Sequence, residues 1–211
     1  MDLSGFVRYM ESPGDAADNA SISRFFQERG VQAQMLEAVM GDDRVASLVA
    51  ERYAPAPHET DVLLAMPEGS LGRAYARFLE VHHFNPHFFH GVEGESDLAY
   101  VLNRLRATHD IWHVLLGFDA SEAGECGMNA FTFAQACTPT TCLLMAAKMI
   151  RAIPDEPAER RRLLQAIADG INLGLRAPGF LGWRWEEHWS EPLADLRDRL
   201  GLRALTPAMA D

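Results

Sequence analysis

His109, Asp110 and His113 form an H-D-x-x-H run, and Glu125 follows after eleven intervening residues. These four side chains have the types and spacing that point most directly to chemistry. On a helix each residue advances about 100°, which places His109 and His113 about 40° apart in projection and Asp110 about 60° beyond His113. All three therefore share one side of a helix. Two imidazoles at i and i+4 can offer nitrogens to a single ion, the reason that H-x-x-x-H recurs at helical metal sites. The segment through Gly117 and Ser121-Glu122-Ala123-Gly124 is long enough to return the Glu125 carboxylate over that helix. The expected centre is one divalent metal with His109, Asp110, His113 and Glu125 as its ligands and as the catalytic residues. Imidazole mixed with carboxylate suits zinc best, with iron, manganese or cobalt as alternatives, whereas magnesium prefers all-oxygen shells. Direct ligation by Asp110 gives four protein ligands, as in a structural site; Asp110 in a supporting role leaves a position for water or substrate.

Arg73, Tyr75, Arg104 and Arg106 lie close to this centre along the chain. An arginine fork can clamp a carboxylate or phosphate with two parallel hydrogen bonds, so Arg73 and Arg104, with Tyr75, are the candidates for substrate binding. A second histidine cluster, His82, His83, His87 and His90, is interrupted by Asn85-Pro86 and fits no metal template. It reads as a loop that packs or lines an entrance. Trp183, Trp185 and Trp189 read as packing that pins a terminal helix.

The elements that must position these residues are helices. Ile22, Phe25, Phe26, Val31, Met35, Leu36 and Val39 recur at three- and four-residue steps, with Gly30 and Gly41 as punctuation and Pro55 and Pro57 as a stop. Pro67-Glu68-Gly69-Ser70 is a turn that caps a helix beginning near Leu71. The motif helix runs from about Asp97 to Gly117, which supplies its stop. Residues 126–147 carry no charge, but Asn129, Gln135, Pro139 and several threonines favour a buried helix kinked at Pro139 over a membrane span. Pro157 opens a further helix in which Gly170 and Gly174 allow a neighbour to approach closely. A tryptophan-rich turn and a short amphipathic helix close the chain, from Trp183 to Leu202. Strand alternation, internal repeats and low-complexity tracts are absent, so the reading is all-α. Residues 1–20 form a loose lead-in and residues 21–211 a single helical bundle, with the metal site on a central helix.

The chain has 211 residues, 48% hydrophobic and 23% charged, with a net charge of −11. That acidity lacks the basic excess nucleic-acid binding requires and argues against broad adsorption to anionic lipid. Cys126, Cys137 and Cys142 contain no C-x-x-C pair and cannot all pair within the chain, which fits a reducing compartment. The N-terminal residues resemble neither a signal nor a transit peptide, so a cytoplasmic location is expected.

The H-D-x-x-H run, the eleven-residue spacing and Glu125 resemble the signature of the Coq4 family of ubiquinone (coenzyme Q) biosynthesis. Flanking segments are similar too: Pro67–Tyr75, Arg106-Ala107-Thr108, His113–Phe118, and Trp185-Glu186-x-x-Trp189-x-x-Pro192-Leu193 with Leu196-Arg197. The likeness spans about residues 66–202. It implies an all-helical protein, commonly a homodimer, whose motif residues bind a divalent metal beside an apolar channel for a polyprenyl tail. The implied activity is metal-dependent oxidative decarboxylation at ring carbon C1 of a polyprenylated hydroxybenzoate, replacing carboxyl by hydroxyl. The implied partners are that lipid substrate, other ubiquinone-biosynthesis proteins and a membrane face touched peripherally, including the inner face of the cytoplasmic membrane. Two other readings stand beside the decarboxylase: a lipid-binding scaffold with a structural metal, and a metal-dependent hydrolase. The hydrolase fits less well, because Asp110 stands where zincins carry glutamate and the further His and Asp of the HD class find no convincing place.

Overall fold

The computed structural model describes residues 4–11, 24–56, 58–84 and 94–202. Among these residues the regular structure is helical and no strand occurs, as the sequence leads one to expect; an isolated β-bridge joins Ser70 and Pro192. The helices are α1 (Ser4–Glu11), α2 (Val31–Val39), α3 (Asp43–Glu51), α4 (Thr60–Leu64), α5 (Leu71–His82), α6 (Asp97–Leu116), α7 (Glu122–Ala136), α8 (Pro139–Arg151), α9 (Pro157–Arg176) and α10 (Leu193–Arg199), with a 3-10 turn at Trp185–His188.

Local chemistry sets most boundaries. Ser70 and Ser96 accept hydrogen bonds from the backbone N–H groups of Arg73 and Ala99 and so start α5 and α6. Gly117 closes α6 at φ +80, a left-handed conformation that costs glycine little, and its N–H reaches back to the His113 carbonyl. The uncharged stretch differs from the single kinked helix expected of it. It is two helices: α7 ends at Ala136, Cys137 turns left-handed at φ +49, and Thr138 is extended before Pro139 opens α8. A proline ring disfavours helical backbone at the residue before it and supplies no N–H, so the chain breaks there rather than bending. No helix among the described residues is long and apolar enough to cross a membrane.

The chain forms two compact units, residues 1–39 with 121–176 and residues 40–120 with 177–211. In the first, α7 packs closely on α9 through small residues. An added Cβ at Gly170 would run into the Gly127 carbonyl and lie 3.0 Å from the Ala130 Cβ; one at Gly174 would lie 2.6 Å from the Ala134 Cβ. The contacts climb together along both helices, which therefore run in the same direction. The Gln135 side-chain amide donates to the Gly174 carbonyl at 2.7 Å and ties the far end of this seam. Helix α1, inside the stretch read as a loose lead-in, contributes Phe6 and Met10 to a cluster with Phe26, Leu143 and Leu144 around Ala147.

In the second unit α6 is the axis, packed by α3, α5 and α10. Trp112 and Trp185 are fully buried with Phe180 between them, at ring separations of 5.8 and 5.0 Å. The Trp185 indole donates to the Phe180 carbonyl at 3.1 Å, so its polar edge is satisfied inside the core. The tail caps α5: the N–H groups of Leu71 and Gly72 donate to the carbonyls of Glu191 and Trp189. Arg197 of α10 donates to the carbonyls of Val114 and Leu115 at 2.8 and 2.9 Å, steadying the C-terminal end of α6.

Glycine to alanine in a helix interior ordinarily stabilises by up to about 1 kcal/mol. At position 170 the sign reverses. Gly170→Ala is expected to destabilise by about 1–3 kcal/mol, because the methyl group must push α7 and α9 apart. Urea unfolding of the variant against the native chain measures it.

Candidate metal centre

His109 and His113 stand one turn apart on α6, and their Nε2 atoms lie 3.1 Å from each other. The rings meet edge to face at 77°, with centroids 4.7 Å apart. His113 is 1% exposed and held from two further directions. Its Nδ1 is 3.0 Å from the Phe118 carbonyl, and its ring stacks on Phe78 of α5 at 5.3 Å. A carbonyl only accepts, so Nδ1 carries the proton and the lone pair is left on Nε2, directed at His109. The Gly117 turn is what brings the Phe118 carbonyl back to the ring. The resulting donor set fits a metal: two imidazole nitrogens turned toward one point, one of them with its tautomer fixed by a hydrogen bond from its far side.

Glu125 lies in the first turn of α7, half-buried, with its N–H bonded to the Ser121 carbonyl. Within its own unit its charge acts on Lys148 of α8, a lysine only 6% exposed. Burial pushes the Lys148 ammonium below its ordinary value, against the opposing pull of Glu125. Lys148 is the charge that ends the uncharged stretch, and that interruption is the one sign of it in the sequence.

Asp110 is half-buried and its negative charge reaches Tyr75. The Tyr75 phenol is pushed well above its usual value, first by burial and then by Asp110 and Glu186. Its ring stacks on Trp189 at 5.1 Å, with His58 against both. Arg73 donates to the Met66 carbonyl at 3.3 Å, while its buried Nε has no hydrogen-bond partner among the described residues. His82 is at the end of α5 against Phe78, and His83 caps that helix in a left-handed conformation; His87 and His90 lie outside the described residues. Phe78 has no signal in the sequence and Phe118 stands there only as the end of a flanking segment, because a phenylalanine ring and a backbone carbonyl carry no chemical signal of their own.

Arg104 is placed differently from a free clamp. Its Nη1 and Nη2 meet the two carboxylate oxygens of Glu186 at 2.5 and 2.9 Å, and Nη2 also donates to the Trp183 carbonyl at 2.6 Å. Both side chains are nearly fully buried, at 4% and 6% exposure. A cavity of about 540 Å³ lined by Tyr53, Ser96, Tyr100, Asn103, Arg104 and Ala107 belongs to the same unit. At about 100° per residue, its lining positions on α6 point away from the His109 side. Arg104→Met is expected to cost about 3–5 kcal/mol, since it leaves the Glu186 carboxylate buried without its partner. Replacing both residues by methionine should recover most of that loss, and urea unfolding of the two variants measures the coupling.

Comparison with known proteins adds to this geometry. Residues 13–206 match the family described as coenzyme Q (ubiquinone) biosynthesis protein Coq4. The chain is 35% identical over 147 residues to the "Ubiquinone biosynthesis protein COQ4 homolog, mitochondrial" of Mus musculus, an alignment covering 66% of this chain and 53% of that protein. It is 34% identical over 143 residues to the Botryotinia fuckeliana "Ubiquinone biosynthesis protein coq4, mitochondrial", covering 66% and 50%. The human homologue is 31% identical over 175 residues, covering 77% and 62%. The chain thus spans about half the length of most of the curated relatives it matches. A crystal structure of a candidate ubiquinone biosynthesis protein from Nostoc punctiforme superposes with a TM-score of 0.84 at 28% identity, over 95% of this chain and 96% of that one. The relatives' names correct one expectation: they are names of mitochondrial proteins, which overturns the cytoplasmic location. The three cysteines are free, but free thiols speak for a redox state and not for a compartment. The shared sequence over nearly the whole chain and the shared helical architecture make this chain a member of the Coq4 family of coenzyme Q (ubiquinone) biosynthesis proteins.

Proposed function

We propose that this chain is a metal-dependent decarboxylase that oxidises ring carbon C1 of a polyprenylated hydroxybenzoate in ubiquinone biosynthesis, replacing the carboxyl group with hydroxyl. The observation that carries the reading is the His109–His113 pair, with nitrogens 3.1 Å apart inside the family's motif. His109, His113 and Glu125 hold the ion, zinc being the best match to two imidazoles and a carboxylate. Asp110, the carboxylate within the motif, completes the shell directly or supports it and leaves a position open.

The bound metal supplies Lewis-acid polarisation of the substrate's carboxylate or phenolate. The chain's own groups do the rest. The Phe118 carbonyl keeps the His113 proton on Nδ1, so that Nε2 remains a ligand. Arg73 offers an unused buried Nε–H to a substrate oxygen, and the protonated Tyr75 phenol stays neutral beside the charge of Asp110. Overall, the bond from C1 to the carboxyl carbon breaks and a C1–O bond forms. Carbon dioxide leaves, water supplies the oxygen, and dioxygen accepts two electrons and two protons to become hydrogen peroxide. A second copy of the chain and other proteins of the same biosynthesis are its partners in this reading.

The test is to incubate the metal-loaded protein with a prenylated hydroxybenzoate in air and follow the hydroxylated product by mass spectrometry. Native protein is expected to form it, and His113→Ala to lose both metal and product. Absence of product from protein with full metal content would overturn the reading. Metal removal by a chelator should abolish turnover and spare most of the helicity; collapse of the fold would favour a structural metal in a lipid-binding scaffold.

A further inference from the structure

The cavity of about 540 Å³ on the side of α6 away from His109 takes no part in the proposed reaction. Its volume is that of a small-molecule site. Tyr53 and Tyr100 stand in its wall, and the Tyr100 hydroxyl donates to the Tyr53 carbonyl at 2.9 Å. Guanidinium groups lie over both rings: those of Arg104 and Arg184 are 5.4 and 4.7 Å from the Tyr53 centroid, and that of Arg52 is 5.6 Å from the Tyr100 centroid. Each of these cations already has a carboxylate. Arg104 meets Glu186 at 2.5 Å, Arg52 meets Asp97 at 2.6 Å, and Arg184 pairs with Glu51. Yet Arg104, 5% exposed and part of the wall, keeps a buried Nε–H without a hydrogen-bond partner among the described residues. A buried donor in that state is uncommon in a native protein, and a ligand acceptor is one way to satisfy it.

We propose that this cavity is a second ligand site, one that takes an uncharged phenol whose oxygen accepts from the Arg104 Nε–H. The charges of the wall select against the alternatives. An acid finds every guanidinium there already neutralised by a carboxylate, and Glu95, an exposed residue of the same wall, repels it. A cation meets three guanidinium groups that already occupy the tyrosine rings. A saturated hydrocarbon leaves the Arg104 N–H unpaired and gains nothing from the planar faces around it. A phenol satisfies all of these conditions: its ring packs on tyrosine and guanidinium planes, its oxygen accepts one hydrogen bond, and its O–H can donate to Glu95. Binding there needs no metal, so the site stands independently of the proposed function.

The experiment is equilibrium dialysis of the full-length chain against three probes of one shape: 2-naphthol, 2-naphthoate and decahydro-2-naphthol. Ala107→Trp places an indole in the cavity from the exposed side of α6, and only the binding lost in that variant belongs to this site. At the site, 2-naphthol is expected to bind about 10-fold more tightly than either of the others. Tyr53→Leu should weaken 2-naphthol by about 3- to 10-fold and leave the saturated alcohol unchanged. His113→Ala, altered at the metal centre, should bind 2-naphthol as the native chain does. Urea unfolding confirms that each variant is folded, and Ala107→Phe replaces the tryptophan variant if that one is not. No binding of 2-naphthol, binding that Ala107→Trp leaves unchanged, or equal binding of the naphthoate or the saturated alcohol overturns the inference. Loss of 2-naphthol binding in His113→Ala overturns it too, by placing the probe at the metal centre.

Discussion

Two imidazole lone pairs turned toward one point repel each other unless a proton or a cation lies between them. In the unit built around α6, holding that arrangement is the constraint to which much of the surrounding structure answers. A histidine ring free to rotate would relax away from its neighbour; His113 cannot, because the Phe118 carbonyl holds Nδ1 and Phe78 covers the ring face. The carbonyl is itself in place because Gly117 adopts a positive φ that turns the chain straight back at the end of the helix. Arg197 then takes the carbonyls of Val114 and Leu115 and steadies the same turn from outside. The mutual placement of the two imidazoles is thus stored in backbone conformation and packing, the preorganisation that a metal site would require.

The segments that carry the family likeness are also the segments that hold one another. Residues near the start of α5 meet the tail about 120 positions later: Gly72 donates to Trp189, Tyr75 stacks on Trp189, and Leu193 donates to Gly69. The close approach of Trp189 to Gly72 leaves no room for a side chain there, since an added Cβ would lie 3.0 Å from the Trp189 carbonyl and 2.6 Å from the Met66 sulfur. Arg104 and Glu186 lock the tail to α6 in the same way, with both charges buried and paired with each other. In the other unit the equivalent device is apolar. Gly170 and Gly174 let α9 lie against α7 at a distance no larger residue permits, and the seam is closed by one amide hydrogen bond.

Much of this fold was legible in the sequence because its determinants are local. Ser70, Ser96, Gly117 and Pro157 each act on backbone within a few positions, and the structure puts the helix ends where they predict. The i, i+4 relation of His109 and His113 follows from helical pitch alone. The break before Pro139 was equally local, yet the length of the uncharged run concealed it. What the sequence by itself determined, then, is the set of helices, their caps and the histidine pair. Tertiary structure alone decided which charges meet. The Arg104 fork, expected to wait for substrate, faces Glu186 from 82 positions away, and Lys148 is buried where the charge of Glu125 acts on it. The physical reason is desolvation: whether a charged side chain is a free donor or half of a buried pair depends on what packing excludes from around it. That is set by residues far apart in the chain and has no period or spacing to betray it.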